Sequence, residues 1–352
     1  MKAKKHTNVL IDCEKVKYPN TGLFSFCTQL ANAIEKVKME YTIETQYLIT
    51  KKCLKYLPSY TFRIITLIDK LFFFTNKNTD VFHATFQLGK FFPRNKKIVL
   101  TIHDLNFLYE KSEEKAIKLK KKVQRNIDKA AHLVAISQFA KEDVLKHLNI
   151  ANKPFDVIYN GCSFYEGPTI EQPSYLPKGD FIFSIGTVLP KKNFHVLPTL
   201  LLNNNLTLII AGNKSSYQEV IKEEAKKYGV ENRVKIIGPI NESDKDWYYR
   251  NCLAFVFPSI AEGFGLPVIE ALHYGKPTFI SKHTSLPEIG KDYCYYFDYN
   301  FNPEKMRTEF TNGLAHFKQR NINELIDYAH SFSWENAAKQ YCEIYQSLAL
   351  KK

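Results

Sequence analysis

The stretch LAFVFPSIAEGFGLPVIEALHYGKPTFIS, residues 253–281, decides how the rest of the chain can fold. Its apolar run at 253–257 is short and continuous, which predicts a buried strand. Gly263 and Gly265 predict a tight loop after that strand. Pro267 is tolerated in the first turn of a helix, where its missing N–H is not needed, so a helix is predicted to begin there. The stretch therefore predicts a strand, a glycine loop and a helix in that order.

Two acids bracket this loop, Glu262 within it and Glu270 about one turn into the helix. A loop that opens a helix offers free backbone N–H groups and the positive end of the helix dipole to an anion. Ionised carboxylates accept hydrogen bonds from hydroxyl groups. The arrangement therefore indicates a bound sugar nucleotide, with a phosphate at the loop and an acid on either side. Taken singly, a turn glycine and a glutamate beside a helix dipole are equally compatible with structural roles.

The second half of the chain begins with the apolar run FIFSIG at 181–186, followed by TVLPKKNF. The run predicts a strand, and Asn193 is predicted to cap the next helix. Lys191 and Lys192 would then lie at the mouth of the same cleft as the glycine loop. On the residues alone, two lysines after a strand favour the alternative of a solvated loop.

The string as a whole resembles the E-x7-E segment of retaining GT-B glycosyltransferases of family four, of the bacterial polysaccharide and lipopolysaccharide type. The match consists of PS-x-x-EGFGLPVIEA, of G-x-P at Gly275–Pro277 and of SLPE at Ser285–Glu288. The resemblance implies an α/β fold of the GT-B type, in which two Rossmann-like domains face each other across a cleft and a C-terminal helix crosses back to the first domain. It also implies a metal-independent hexosyltransferase without a cofactor, since the nucleotide-diphosphate sugar is the donor substrate.

The string GTVLPKKN resembles the family as well, and the resemblance implies that Lys192 contacts the donor diphosphate. Lys191 keeps the charge of a frequent arginine but lacks its bidentate fork. Thr187 stands where many members have arginine and Leu189 replaces a frequent acid, which leaves the second phosphate contact and the donor identity open. The implied donor site consists of Gly186, Thr187, Lys191, Lys192, Gly238, Glu262, Gly263, Phe264, Gly265, Leu266 and Glu270.

The resemblance also implies a role for each of these groups. Negative charge builds on the departing diphosphate, and Lys192 with the N–H groups near Gly265 and Leu266 would stabilise it. Glu270 would bind the nucleotide ribose. Glu262 would bind sugar hydroxyls and stabilise cationic character at the anomeric carbon. The implied catalytic groups are His103, Glu262 and Lys192.

In the first half of the chain, the apolar run Ile98–Ile102 predicts a buried strand that ends at His103 and Asp104. Functional groups of open α/β sheets gather at the carboxyl ends of strands. The HDL string resembles the family's sugar-proximal histidine, which implies that His103 lies near the transferred sugar and Asp104 on the acceptor side. Gly22, in a loop after the predicted first strand, resembles the acceptor-side loop, with a simple turn glycine as the alternative.

The length of 352 residues predicts two domains. The segment 163–180 contains proline and glycine without periodicity, which predicts a linker. We predict an N-terminal acceptor-side Rossmann-like domain at 1–165, a linker at 166–178, a donor-binding Rossmann-like domain at 179–332 and a C-terminal helix at 333–352 that packs on the first domain.

Lys+Arg 49 against Asp+Glu 36 give a net charge of +13, which implies acidic partners such as a nucleotide, a phosphorylated glycan or an anionic lipid. A nucleic acid partner is not expected, because the basic residues form no known nucleic-acid motif. The seven cysteines are odd in number and scattered, which is typical of reduced cysteines in the cytoplasm. Asp244 and Asp246 form a D-x-D, a pattern that binds metal in other glycosyltransferases and is interpreted here as surface charge.

The termini and apolar runs give further expectations about location. The apolar stretch near the start is too short for a signal peptide and predicts a first strand instead. No run approaches the ~18 apolar residues of a membrane span. The segment 55–78 is predicted to be helical. Within it, Tyr56–Phe74 combines aromatic and aliphatic residues with basic ones, and the Lys118–Arg125 cluster adds positive charge. A cytoplasmic protein with peripheral contact to an anionic membrane is one interpretation, and an ordinary core helix with solvated lysines is the other.

The function predicted from these features is transfer of a hexose-type sugar from GDP-mannose or a UDP-hexose to a hydroxyl of a glycan or lipid-linked glycan, in cell-surface polysaccharide or lipopolysaccharide biosynthesis. A nucleotide-sugar epimerase of the same architecture and a catalytically silent binding module are the alternatives. Production of an epimer from the donor alone would point to the epimerase. Loss of His103, Lys192 or Glu262 would have pointed to a silent module, and all three are present.

Overall fold

The computed structural model describes residues 6–19, 21–57, 60–71, 73, 75 and 77–350. The chain divides into two compact units. The first unit consists of two parts of the chain, Met1–Ser163 and Phe332–Lys352. The second unit is Phe164–Ser331. The predicted linker at 166–178 contains no helix or strand.

The first unit contains a parallel sheet of seven strands in the order β3-β2-β1-β4-β5-β6-β7. Its strands are β1 Thr7–Asp12, β2 Ile43–Ile49, β3 Phe62–Ile64, β4 Val81–Ala84, β5 Lys97–Ile102, β6 His132–Ala135 and β7 Phe155–Val157. Its helices are α1 Gly22–Val37, α2 Leu67–Leu71, α3 Phe107–Glu110, α4 Glu113–Lys129 and α5 Gln138–His147, with 3-10 turns at Glu14–Lys17 and Lys51–Tyr56.

The second unit contains a parallel sheet of six strands in the order β10-β9-β8-β11-β12-β13. Its strands are β8 Phe181–Ile185, β9 Thr207–Ala211, β10 Val234–Gly238, β11 Ala254–Phe257, β12 Thr278–Ser281 and β13 Tyr295–Phe297. Its helices are α6 Gln218–Lys227, α7 Glu242–Asn251, α8 Leu266–His273, α9 Leu286–Gly290, α10 Pro303–Phe317 and α11 Ile322–His330. The 3-10 turns lie at Pro190–Lys192, Phe194–Leu201, Glu231–Arg233 and Lys291–Tyr293.

Both sheets follow from the apolar runs of the sequence. Strands β9 and β11 are buried along their whole length, as expected where a parallel sheet is covered on both faces. In each sheet the strand order reverses once, between β1 and β4 in the first unit and between β8 and β11 in the second. Loops leave a crevice at such a switch point, outside the carboxyl ends of the strands, and ligands bind there in open α/β sheets.

The chain returns to the first unit as helix α12, Trp334–Leu350, which packs on α1 and on β1, β4 and β5. The Tyr345 hydroxyl bonds His83 Nδ1 at 2.7 Å, and His83 Nε2 bonds the Thr101 hydroxyl at 2.8 Å. Thr101 bonds the Tyr341 hydroxyl at 2.9 Å. This buried network ties the helix to β4 and β5, so the prediction of a C-terminal helix on the first domain is confirmed.

The prediction of a helix across the segment Tyr56–Phe74 is wrong. Residues Phe62–Ile64 form the edge strand β3, paired with β2, and only Leu67–Leu71 are helical beyond it. The β-branched and aromatic residues of TFRII fit an edge strand better than a helix, because they lose side-chain freedom in a helix. Pro58, Ser59, Phe72 and Phe74 of this segment lie outside the described residues.

The interpretation of Asp244 and Asp246 as surface charge is also wrong. Their exposed fractions are 3% and 1%, because both side chains point into the unit and are hydrogen-bonded there. Asp244 accepts hydrogen bonds from the backbone N–H and the hydroxyl of Ser174. Asp246 accepts from the Tyr274 hydroxyl at 2.6 Å and from Arg250 Nε at 2.8 Å. The D-x-D therefore fixes helix α7 to neighbouring segments.

Two further features of the described ranges concern metal ions and the membrane. No group of three or more histidine, cysteine, aspartate or glutamate side chains is arranged to hold a metal ion there. None of the described helices is both long and apolar enough to cross a membrane. All seven cysteines are free thiols.

Candidate functional site

The glycine loop lies between β11 and α8, as predicted, and Gly265 sets its shape. Gly265 has a backbone angle φ of +125°, in a region that residues other than glycine rarely adopt. A Cβ atom at this position would also lie 3.0 Å from a Leu286 methyl carbon. Helix α8 begins at the next residue, with Pro267 in its first turn. Pro267 has no N–H and Val268 N donates to the Gly265 carbonyl at 3.0 Å, so the loop offers an anion the N–H groups near Gly265 and Leu266 and the positive end of the helix dipole.

Lys192 and Glu262 form an ion pair at the carboxyl ends of β8 and β11. Lys192 Nζ lies 2.5 Å from Glu262 Oε1, and the two side chains are only 13% and 15% exposed. The Ser259 hydroxyl lies 2.6 Å from the same carboxylate oxygen. The ammonium group also lies 4.8 Å from the ring centroid of Phe257, a cation–π contact. These contacts fix both charged groups before any ligand binds.

The two loops that carry this pair are hydrogen-bonded to each other. The Lys191 carbonyl accepts from Ile260 N at 2.8 Å, and the Ser259 hydroxyl lies 3.1 Å from it. Asn193 occupies the N-cap position of the next helix, as predicted, but that helix, Phe194–Leu201, is a 3-10 helix. The Asn193 backbone is left-handed (φ 57°) and its side chain makes no capping hydrogen bond.

Close approach of backbones explains the glycines at the neighbouring strand ends. A Cβ atom on Gly212 would lie 2.0 Å from the Gly186 carbonyl oxygen, so no other residue fits there. Gly212 N in turn donates to the Gly238 carbonyl at 2.7 Å. Gly212 was not among the predicted site residues, although its place at the end of the apolar run LTLIIAG is the same signal that marked Gly186. Thr187 follows Gly186 and is exposed.

Glu270 is held by helix α7. Its Oε1 lies 2.9 Å from Lys245 Nζ, and its Oε2 accepts from the Tyr249 hydroxyl at 2.9 Å. Burial opposes the charge of Lys245, but the carboxylates of Glu270 and Glu242 outweigh it and hold the pKa of Lys245 well above its ordinary value. Each carboxylate oxygen retains a further acceptor position for a hydroxyl group. Sequence reasoning missed Lys245 and Tyr249, whose spacing of four residues places them on one face of α7.

His103 lies in the first unit, at the carboxyl end of β5, and is buried. Its Nε2 lies 2.8 Å from the Thr85 carbonyl, which can only accept, so Nε2 carries the hydrogen. Burial lowers the pKa of His103 to about 4, and the ring is neutral at pH 7 with Nδ1 as an acceptor. Gln87, missed by sequence reasoning, accepts from His103 N at 3.1 Å and donates to the Asp104 carbonyl at 2.7 Å.

Asp104 and Gly22 are the other predicted groups of the first unit. Asp104 Oδ1 accepts from Asn106 N at 2.9 Å, a local turn contact. Gly22 is the first residue of α1, follows the capping residue Thr21 and lies outside the left-handed backbone region. A Cβ atom on Gly22 would meet nothing within 4 Å. The turn itself therefore does not require glycine, which argues against the simple-turn alternative.

The neutral state of His103 predicts how stability changes with pH. Because its pKa is lowered in the folded state, the unfolded chain binds a proton between about pH 6.5 and pH 4 that the folded chain does not bind. The free energy of unfolding should therefore fall as pH falls through this window. Between pH 7 and pH 5, His103 lowers the free energy of unfolding by about 2 kcal/mol, from 1.36 kcal/mol per pKa unit. We expect His103→Gln to make the fall in the free energy of unfolding over this range smaller by about this amount, as measured by urea denaturation.

The matched control for this measurement is His6→Gln, since the His6 side chain is 51% exposed. It should leave the pH dependence of the wild-type protein unchanged. If His103→Gln shows the same pH dependence as His6→Gln, His103 is not held neutral by the fold.

Two family models match the chain, one in each unit. Residues 28–163 match Glycosyltransferase Family 4, and residues 169–320 match Glycosyl transferases group 1. Among curated proteins, O-antigen chain mannosyltransferase B of Escherichia coli is 26% identical over 72% of this chain and 71% of its own length. The serotype-specific mannosyltransferase WbdA of Escherichia coli is 30% identical over 60% of this chain, which corresponds to 28% of WbdA.

Solved structures share the fold over almost the whole chain. Sucrose-phosphate synthase of Thermosynechococcus elongatus superposes with a TM-score of 0.74 at 16% identity, covering 98% of this chain and 99% of its own. HepE of Anabaena, solved in complex with UDP-glucose, superposes with a TM-score of 0.67 at 18% identity, covering 97% and 100%. The two parallel sheets, the returning helix and the two consecutive family matches agree on one assignment: this chain belongs to the GT-B glycosyltransferases of family four.

Proposed function

We propose that this protein is a retaining glycosyltransferase of cell-surface polysaccharide or lipopolysaccharide biosynthesis. It transfers a hexose-type sugar from a nucleotide-diphosphate sugar, GDP-mannose or a UDP-hexose, to a hydroxyl group of a glycan or lipid-linked glycan. The observation that carries the proposal is the shielded Lys192–Glu262 ion pair beside the glycine loop, at the switch point of the second sheet. The names of the mannosyltransferase relatives support the reaction class.

The leaving group of this reaction is a nucleoside diphosphate, which gains negative charge as the glycosidic bond breaks. Lys192, the N–H groups near Gly265 and Leu266 and the positive end of the α8 dipole supply positive charge at the switch point. Donors that are fixed in advance lose no energy to reorganisation during the reaction. The contacts of Lys192 with Glu262 and Phe257 provide this fixation.

The two acids act on different parts of the donor. Glu270, clamped by Lys245 and Tyr249, keeps one orientation and accepts hydrogen bonds from the nucleotide ribose. Lys192 contacts both Glu262 and the diphosphate. The Glu262 carboxylate binds sugar hydroxyls and stabilises positive charge at the anomeric carbon. The assignment of His103 to the transferred sugar rests on the resemblance, and its neutral ring with Nδ1 as acceptor suits a sugar hydroxyl.

A donor screen tests the proposal as a whole. The protein is incubated with GDP-mannose, UDP-glucose, UDP-galactose and UDP-N-acetylglucosamine, and the products are followed by NMR. We expect slow release of nucleoside diphosphate from one donor, with the released sugar initially in the anomeric configuration of the donor. An epimerised nucleotide sugar would identify an epimerase, binding without turnover would identify a silent module, and inversion at the anomeric carbon would exclude a retaining enzyme.

Lys192→Ala should lower kcat/KM for the donor by about one to two decades. A hydrogen bond from a charged group contributes about 1.5–3 kcal/mol, and each decade in rate corresponds to 1.36 kcal/mol. Lys222→Ala is the matched control, because Lys222 is 58% exposed and pairs only with Glu219 among the described residues. A loss of less than about threefold for Lys192→Ala, measured in the donor-turnover assay, would remove Lys192 from the diphosphate site.

Glu270→Gln should weaken binding of the donor nucleotide while the fold stays intact, since the amide replaces one acceptor oxygen with a donor. The measurement is calorimetric titration with nucleoside diphosphate, with circular dichroism as the check on the fold. Glu242→Gln is the matched control, because Glu242 also pairs with Lys245 but is 70% exposed. Equal nucleotide affinity in both variants would show that Glu270 has no contact with the nucleotide.

We further propose that the protein contacts an anionic membrane surface through its first unit. Leu67 and Ile68 of α2 are 77% and 70% exposed, and Lys118 and Lys121 of α4 are exposed as well. Phe73, which follows α2, packs against the apolar cluster that contains Val123 of α4. Exposed apolar side chains beside lysines suit an anionic surface, where each basic residue contributes about 1 kcal/mol.

This proposal predicts that the protein co-sediments with anionic vesicles and that the bound fraction falls as salt rises, since exposed charges are screened. Changing Lys118, Lys120, Lys121 and Lys122 together to glutamine should abolish co-sedimentation. Lys222→Gln with Lys227→Gln removes exposed charge from α6 and should leave it unchanged. A wild-type protein that stays in the supernatant with anionic and neutral vesicles alike would contradict the membrane proposal.

A further inference from the structure

The first unit has its own switch point, between β1 and β4, and a loop that follows β4 borders it. This loop, residues 85–92, is fixed from two sides. Asn126 Nδ2 of helix α4 donates to the Gln87 carbonyl at 2.9 Å, and the Gln87 side chain contacts His103 N and the Asp104 carbonyl. The loop therefore connects helix α4 with the predicted acceptor-side residues.

Three lysines surround this loop. Lys15 Nζ lies 5.1 Å from the ring centroid of Phe86, and the Lys15 side chain is only 14% exposed. Lys122 lies one helical turn before Asn126, on the side of α4 that faces the loop, and is half-buried. Lys90 is part of the loop itself and is exposed. The lysines come from three separate segments, namely the turn after β1, the loop after β4 and the helix α4 that is hydrogen-bonded to this loop.

The positive charge at this place exceeds the negative charge. Glu14 is buried and already pairs with Lys15, at 3.1 Å, and with Lys17. Asp12, at the end of β1, is 4% exposed, and burial raises its pKa to about 7, so it carries only part of a charge at neutral pH. Within the described part of the chain, no ion pair is formed by Lys90 or Lys122.

The excess of positive charge affects the pKa of the Lys122 ammonium group. Burial lowers the pKa of Lys122 below its ordinary value, and the positive charges of Lys90, Lys15 and Arg125 lower it further, against a smaller opposite effect of Glu14. Like charges that repel one another in the folded state reduce its stability, and a bound anion would remove this repulsion. Helix α4 carries other lysines that extend into solvent, so the charge of Lys122 is not needed for solubility.

We propose that Lys15, Lys90 and Lys122 form a binding site for a phosphate-type anion, a phosphomonoester or diphosphate, carried by the acceptor. Lys15, Lys17, Lys90 and Lys122 outnumber Glu14 and the partly charged Asp12 here, which matches an anion with about two negative charges, and lysine binds phosphate oxygens as a point charge. The identification of the anion with the acceptor rests on the proposed function, because the lysines lie beside Gln87 and His103 in the unit assigned to the acceptor. The site itself does not depend on that function.

Lysine acetylation followed by mass spectrometry locates the site directly on the full chain, with inorganic pyrophosphate as the probe. We expect pyrophosphate to protect Lys15, Lys90 and Lys122, while Lys118 and Lys121, exposed on the same helix, react as before. Protection confined to Lys191 and Lys192 would overturn this inference and leave the proposed donor site intact. Equal protection of Lys118 and Lys121 would show general counter-ion screening and would also overturn it.

Matched variants make the test quantitative. In Lys90→Gln with Lys122→Gln, at least about fivefold more pyrophosphate should be needed to protect Lys15, since each lost charge-assisted contact weakens binding. Lys118→Gln with Lys121→Gln removes the same charge from exposed positions and should leave the concentration unchanged. Protection of Lys192 serves as an internal measure of the second unit and should be equal in both variants. Equal behaviour of the two variants at Lys15 would contradict a specific site.

A second arm separates an anion of the acceptor from a lipid headgroup at the membrane. Phosphatidylglycerol vesicles replace pyrophosphate in the same footprint. We expect vesicles to protect Lys118 and Lys121 but not Lys122, because a half-buried lysine beside a loop is less accessible to a flat surface. Protection of Lys90 and Lys122 by vesicles, without protection by pyrophosphate, would show a membrane contact and overturn the acceptor site.

Discussion

The ion pair between Lys192 and Glu262 is the interaction on which the donor site depends. It joins two loops whose charged residues are 70 positions apart in the chain, and both side chains are largely shielded from water. Removing one partner of a shielded pair leaves an uncompensated charge, which is strongly unfavourable. In the absence of donor, Glu262 therefore neutralises Lys192. In the proposed reaction the diphosphate takes over this task, which frees the Glu262 carboxylate for the sugar, so phosphate binding and sugar binding are coupled.

The backbone around this pair explains why it forms only in this fold. Strands β8 and β11 are neighbours at the switch point of the sheet, although residues of β9 and β10 separate them in sequence. The Gly186 and Gly212 backbones approach so closely that no side chain fits at Gly212. Ser285 donates to the Phe264 carbonyl at 2.7 Å and holds the glycine loop from the side of α9. A site built in this way is organised before the ligand arrives, which is the condition for strong stabilisation of developing charge.

Sequence reasoning predicted the parts of this site that are local in the chain. The strand, the glycine loop and the helix at 253–273 follow from an apolar run, a pair of glycines and a proline, all within one stretch. It missed Lys245, Tyr249 and Gln87. These residues form hydrogen bonds with site residues at least sixteen positions away, and no local sequence motif marks them. The roles assigned to the site residues in binding and transfer stay predictions.

The errors have the same physical origin. Asp244 and Asp246 were interpreted as surface charge because they begin a helix in a chain that resembles metal-independent enzymes, yet packing of α7 buries both and supplies each with donors. Residues Phe62–Ile64 were interpreted as helical from their apolar content, yet pairing with β2 makes them a strand. In each case a contact with a distant segment outweighed the local preference.

The coupling of Lys192 and Glu262 is tested most directly by calorimetric titration of Glu262→Gln with GDP and UDP. The substitution removes the competing carboxylate and leaves Lys192 to the diphosphate. The account predicts that the affinity for the nucleoside diphosphate equals or exceeds that of the wild-type protein, while turnover of the nucleotide sugar is lost. An affinity that falls by about tenfold, the size of a lost charge-assisted contact, would show that Glu262 itself binds the nucleotide and would contradict the account.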